Sequence, residues 1–143
     1  DATNCMNLPI EALELDAPIR VHHFGLAPGS GGAGQYRGGL GCRREYEIMA
    51  GLVTVTYRGE RHDHPAKGSQ GGEAGSCASA RILRANGMIE YIPSKQVTTL
   101  FAGDRLSVQT AGGGGFGRPV ERSAKDMSDD LASGKVNRTI SGG

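Results

Sequence analysis

Apolar and polar side chains alternate along this chain in short runs, and glycine-rich stretches separate the runs. Leu52-Val53-Thr54-Val55-Thr56-Tyr57-Arg58 is the clearest of them. Its β-branched residues and period of two predict a strand. Arg43 to Met49 predicts another strand with one polar face, and the Ala50-Gly51 break between the two suggests a hairpin. Pro18 to Leu26 predicts a strand with a proline at its head and a glycine-rich turn beyond. Ser79 to Arg84 and Met88 to Ile92 flank Ala85-Asn86-Gly87. Asn-Gly between apolar runs is a strong hairpin signal. Val97 to Phe101 and Arg105 to Thr110 are strands around a turn at Gly103-Asp104.

Helical spacing appears twice. A short helix is predicted after Pro9. A better one spans Ser123 to Ser133, with Ser123 as its cap, Asp126 in its first turn, Met127 and Leu131 on one face and Gly134 as its stop. Asp1 to Asn7 shows no period. The tail from Lys135 to Gly143 reads as mobile or held by a partner.

Between the strands the period changes to three. Gly29, Gly32, Gly38 and Gly41 keep it, broken only at Gln35, and Gly31 and Gly34 hold a second register. Gly68 with Gly71, Gly72 with Gly75, Gly112 with Gly115 and Gly114 with Gly117 repeat the spacing. Three is the period of polyproline II, not of a helix or a strand. Glycine at every third place strips one edge of side chains, so another backbone can lie against it. The prediction is a bundle of short polyproline II segments whose structural glycines include Gly29, Gly32, Gly38, Gly41, Gly71, Gly112 and Gly115.

Composition agrees with a core that is not mainly apolar. With 24 glycines in 143 residues and no Trp, the chain has little to bury and much backbone entropy to lose. A partner surface is one way to hold it. The length suits a single domain, 1–143. A net charge of +1 gives no footprint for nucleic acid or an anionic membrane. No apolar run approaches a membrane span, and no secretory pattern opens the chain. Cys5, Cys42 and Cys77 are odd in number and scattered, which points to reduced thiols and a cytoplasmic setting.

Candidate chemistry is sparse. Gly29 to Gly34 invites a phosphate loop, but Gln35-Tyr36 follow where a Walker motif needs Lys and a helix. Gly112 to Gly115 could form an anion nest or pack against another segment. His62-Asp63-His64 places two imidazoles on one side of an extended segment, a spacing able to hold a metal. Hydrogen-bonded loop histidines are the alternative, and no Cys-x-x-Cys or His-Glu-x-x-His supports the metal. Arg58, Glu60, Arg61 and Asp63 make a mixed cluster that reads as a solvated or interface salt-bridge face, with an active-site role as the alternative. Cys42, beside Arg43 and Arg44, is either an activated thiol or a buried structural one. None of this assigns a catalytic or cofactor-binding residue to the chain.

Ser30-Gly31-Gly32-Ala33-Gly34-Gln35-Tyr36-Arg37-Gly38-Gly39-Leu40-Gly41, followed by Arg44-Glu45-Tyr46, resembles the hydantoinase B/oxoprolinase family. So does Val97 to Phe101 leading through Gly103-Asp104-Arg105 to the run from Gly112 to Gly117. Asn7 to Glu14 resembles the family's lead-in. Pro119, Glu121-Arg122, Asp130 and Gly134-Lys135-Val136 are similar to its closing segment. The resemblance covers only the C-terminal part of the family's usual long polypeptide. It implies a mainly β fold, with two sheets in a barrel-like arrangement running into the glycine-rich bundle and one short C-terminal helix. It also implies a hydantoinase A-like, ATP-binding partner and a hydantoinase B-like partner, with ATP and a divalent metal on those subunits rather than here.

The activities implied are ATP-dependent ring opening of hydantoins and 5-oxoproline, or ATP-dependent carboxylation of ketones. The leading expectation is the small structural subunit of a complex that turns acetophenone, bicarbonate and ATP into benzoylacetate. The first alternative is a split hydantoinase or 5-oxoprolinase subunit. The second is a freestanding glycine-rich binding module.

Overall fold

The computed structural model describes residues 8–137, so Cys5 and the tail beyond position 137 lie outside the described residues. The elements are α1 (Ile10–Asp16), β1 (Ile19–Leu26), β2 (Cys42–Ile48), β3 (Leu52–Arg58), β4 (Ser79–Leu83), β5 (Ile89–Ile92), β6 (Lys95–Phe101), β7 (Arg105–Gln109), a 3-10 turn (Pro119–Glu121) and α2 (Ala124–Ala132). Every strand expected from alternation is present, and so are both helices.

The strands form two antiparallel sheets. One has five strands in the order β1-β2-β7-β4-β5, the other pairs β3 with β6. Alternation decides which side chains face inward. Along β3, Val53, Val55 and Tyr57 pack on the core, which is built of Ile48, Ala80, Ile82, Ile92, Leu100 and Leu106. Ile82 and Leu100 are fully buried. Each such side chain contributes about 1.5–3 kcal/mol.

Two expectations are corrected. The first is the hairpin between β2 and β3. Instead β2 pairs with β1 and β7, while β3 pairs only with β6. Gly51, at φ +62°, turns the chain out of one sheet and into the other. The turn between β6 and β7 does the same alongside it: the Gly103 amide donates to the Ile48 carbonyl, and the Ala102 amide to that of Gly51. Each strand carries one apolar row. Stacking the rows face to face buries both, which side-by-side pairing would not.

The second correction is the barrel-like arrangement. β1 and β5 are opposite edges of the five-stranded sheet and do not meet, so no closed barrel forms. The bent ribbon of β2-β3 and β6-β7 lays the small sheet across a face rather than bridging those edges. The Asn-Gly hairpin is as expected. Gly87 has φ +89°, β4 pairs with β5, and the Arg84 amide donates to the Met88 carbonyl across the turn.

Candidate functional site

β1, β2 and β7 run directly into glycine-rich stretches. There the strand ladder gives way to bonds that recur every third residue. The middle stretch bonds to both of the others. The Glu73 amide donates to the Ala33 carbonyl, and the Ser76 amide to that of Ser30. On the other side, Gly115 donates to Glu73 and Gly112 to Ser76. The first and third stretches bond each other as well, Gly32 to Gly113 at 2.9 Å and Gly113 to Gly39 at 2.8 Å.

Glycine is required there by contact rather than by rotation. A Cβ at Gly32 would overlap the Glu73 carbonyl, at Gly38 that of Gly113, at Gly41 that of Thr110, at Gly112 that of Ser30 and at Gly115 that of Ala33. Gly29 and Gly71 differ: both have positive φ, +74° and +88°, and serve turns. The run from Gly112 to Gly115 is no anion cradle, because the amides of Gly112, Gly113 and Gly115 are donated to carbonyls. The Gly32 amide is committed in the same way, to the Gly113 carbonyl.

α2 is fastened to this bundle by charge. The Ser123 hydroxyl caps it by accepting from the Asp126 amide, and Gly134 ends it at φ +68°. Met127 and Leu131, which share one face of the helix, are about half exposed. The buried residue is Asp130, at 1 % exposure. Arg122 grips it at both oxygens, Nε to Oδ2 and Nη2 to Oδ1, each at 3.0 Å. Arg37 Nε donates to Oδ2 at 2.9 Å. Arg122 also donates to the Gln35 carbonyl, so one guanidinium ties the helix to the first glycine stretch. Burial pushes the Asp130 carboxyl up, but the hydrogen bonds and charges of Arg37 and Arg122 outweigh it and hold the group below its ordinary value. The Lys135 amide donates to the Asp130 carbonyl, and its own carbonyl accepts from Gly29. The start of the tail is therefore bound within the chain, and residues 138–143 lie outside the described residues.

A cleft of about 490 Å³ opens beside Asp130, with Tyr36, Gly39, Leu40 and Lys135 among its walls. Gly39 is exposed there, and a Cβ on it would meet nothing within 4 Å.

His62 and His64 stand in the loop between β3 and β4. The Tyr57 hydroxyl and His62 Nε2 share a hydrogen bond of 2.8 Å, and burial pushes the Tyr57 phenol up. Among the described residues no group of three or more His, Cys, Asp or Glu is placed to hold a metal. None of Arg58, Glu60, Arg61 and Asp63 makes an ion pair among the described residues. Arg61 takes φ +61° in the loop, and Arg58 is the last residue of β3. Cys42 is half-buried at the head of β2, where its amide donates to the Thr110 hydroxyl.

Sequence reasoning missed the Arg37–Asp130–Arg122 cluster. Its members are far apart in the chain, and a buried carboxylate on a helix looks the same in sequence as a solvated one. The one local signal was the weakness of the Met127–Leu131 stripe, too narrow to hold a helix alone.

No helix among the described residues is long and apolar enough to cross a membrane. Residues 1–119 match the family model for hydantoinase B/oxoprolinase. The chain is 31% identical over 136 residues to caprolactamase subunit beta of Pseudomonas jessenii, covering 92% of this chain and 23% of the relative. The crystal structure of the ATP-dependent caprolactamase from Pseudomonas jessenii superposes at TM-score 0.78 with 28% identity, over 92% of this chain and 24% of that one. Nucleotide-free acetone carboxylase shares the fold at TM-score 0.71 and 20% identity, over 91% of this chain and 22% of that one. The chain thus spans about a quarter of the length of these relatives.

Proposed function

Because this chain belongs to the hydantoinase B/oxoprolinase family, we propose that it is a non-catalytic scaffolding part of a hetero-oligomeric, ATP-dependent enzyme that opens a cyclic amide. The observation that carries this is the match to caprolactamase subunit beta across 92% of the chain. Caprolactam is a lactam, and hydantoin and 5-oxoproline share its ring amide. The local chemistry supports a scaffold. The amides of Gly32, Gly112, Gly113 and Gly115 are spent on backbone carbonyls, and the buried Asp130 carboxylate is held by two guanidinium groups. ATP and a divalent metal belong, in this proposal, to a hydantoinase A-like partner, with a hydantoinase B-like chain completing the complex in the cytoplasm. The glycine stretches are proposed to be polyproline II segments, which the three-residue spacing of their bonds supports.

Carboxylation of a ketone is the competing proposal. The likeness to acetone carboxylase supports its fold, and the ketone in that relative's name is acetone rather than acetophenone. The test is to purify the complex that contains this chain and supply ATP with caprolactam, 5-oxoproline or hydantoin, then with labelled bicarbonate and acetone or acetophenone. ATP-dependent amide cleavage is the expected result. Label fixed into a keto acid, with no amide cleaved, overturns it in favour of carboxylation.

A further inference from the structure

The outer face of the β3–β6 sheet carries charges and apolar groups that the fold itself leaves unanswered. Leu52, Val97 and Phe101 point away from the core and are 62%, 65% and 55% exposed. Leu52 lies directly opposite Phe101 in the register, and Arg58 directly opposite Lys95 at the other end. Like charges in direct cross-strand register repel. Neither cation has a carboxylate at ion-pair distance among the described residues. A hollow of about 430 Å³ opens between them, with Thr56 and Val97 in its wall. The sheet has only these two strands among the described residues, so each also has an outer edge without a ladder partner.

We propose that this face docks another polypeptide of the complex, whose apolar side chains cover Leu52, Val97 and Phe101 and whose Asp or Glu carboxylate sits between Arg58 and Lys95. The inference rests on the multi-chain reading above. One carboxylate in reach of both cations replaces a repulsion with two charge-assisted hydrogen bonds. Excluding water from the apolar end strengthens them by lowering the local dielectric. A second copy of this chain does not fit, because the outward residues of β3 and β6 include no acid, so neither orientation of two such faces gives the cations a carboxylate. The complement is therefore a different surface, apolar at one end and acidic at the other.

The test is zero-length cross-linking of the intact complex, purified with its larger chains. A water-soluble carbodiimide joins an amine and a touching carboxylate as an amide, and takes up the lost water as a urea. Peptide mapping is expected to find Lys95 joined to an Asp or Glu of a larger chain. Lys95→Arg keeps the charge, so it should abolish the link and leave the complex assembled. The pair Arg58→Glu with Lys95→Glu should weaken assembly about tenfold or more, read by native mass across a dilution series. Lys95 found unlinked, or joined only to acids of its own chain such as Glu60 or Asp63, overturns the docking face, as does undiminished assembly of the double Glu variant. In those outcomes the amide-opening activity of the complex still stands. Absence of any larger chain overturns both readings.

Discussion

Arg37 and Asp130 lie 93 positions apart in the chain, and Nε of the first donates to Oδ2 of the second at 2.9 Å. With Arg122 on the same carboxylate, a single side chain holds α2 against the first glycine stretch. Removing one member of a buried ion cluster leaves the others charged and dry. Asp130→Ala is expected to cost about 3 kcal/mol in a urea titration. A loss below about 1 kcal/mol would mean that α2 is held by other contacts.

Acid should release the same clamp. Asp130 and Asp104 are both held below the ordinary aspartate value: burial raises each, and hydrogen bonds with nearby guanidinium charge outweigh it. Each carboxyl therefore binds its proton less readily folded than unfolded. The stability they add is complete above the ordinary value of about 4 and drains away as pH falls through the lower folded values. The melting temperature is expected to hold between about pH 5 and 7 and to drop below about pH 4. In Asp130→Asn that acid limb should be shallower, and an unchanged limb would assign it to other groups.

Gly32 and Gly39 make an internal comparison. A Cβ at Gly32 would meet the Glu73 carbonyl and the Gly115 amide, both backbone, whereas at Gly39 it meets nothing within 4 Å. Gly32→Ala is expected to destabilise by about 3 kcal/mol, at the upper end for overpacking. Gly39→Ala should stay within about 0.5 kcal/mol of the parent. Equal melting temperatures for the two variants would contradict the close packing of the bundle.

The turns at the sheet ends share another buried carboxylate. Asp104, 3 % exposed, accepts from Arg84 Nη1 at 2.8 Å and from the amides of Ala85 and Phe101 at 2.9 Å. Arg84 also grips Glu90 with Nε and Nη2. Arg84→Met is expected to cost about 3 kcal/mol, because it strands the Asp104 charge. Adding Asp104→Asn to it should recover part of that loss, as a double-mutant cycle would record.

The strands were legible because alternation in Leu52 to Arg58 states directly which side chains are buried. Alternation does not say which strands are neighbours, and so the β2–β3 hairpin was expected where Gly51 instead carries the chain into a second sheet. The glycine bundle was legible for a related reason. Missing side chains at Gly32, Gly38, Gly112 and Gly115 mark where another backbone comes close. The Asp130 cluster was not legible, since ion pairs between distant residues leave no local pattern. The helical period pointed instead to Met127 and Leu131.

The bundle also sets an order on the birth of the molecule. Its middle stretch bonds to both of the others, and the last contributor, Gly112 to Gly115, is made late in the chain. Contacts this far apart in sequence form slowly and together. On the ribosome the first two stretches emerge before the third, and the carbonyls of Gly39, Glu73 and Ser76 that accept from it stay solvated until it has left the exit tunnel. A nascent chain stalled before Gly112 holds all seven strands and none of the closed bundle, which makes that window the one in which a chaperone or a partner subunit has most to bind.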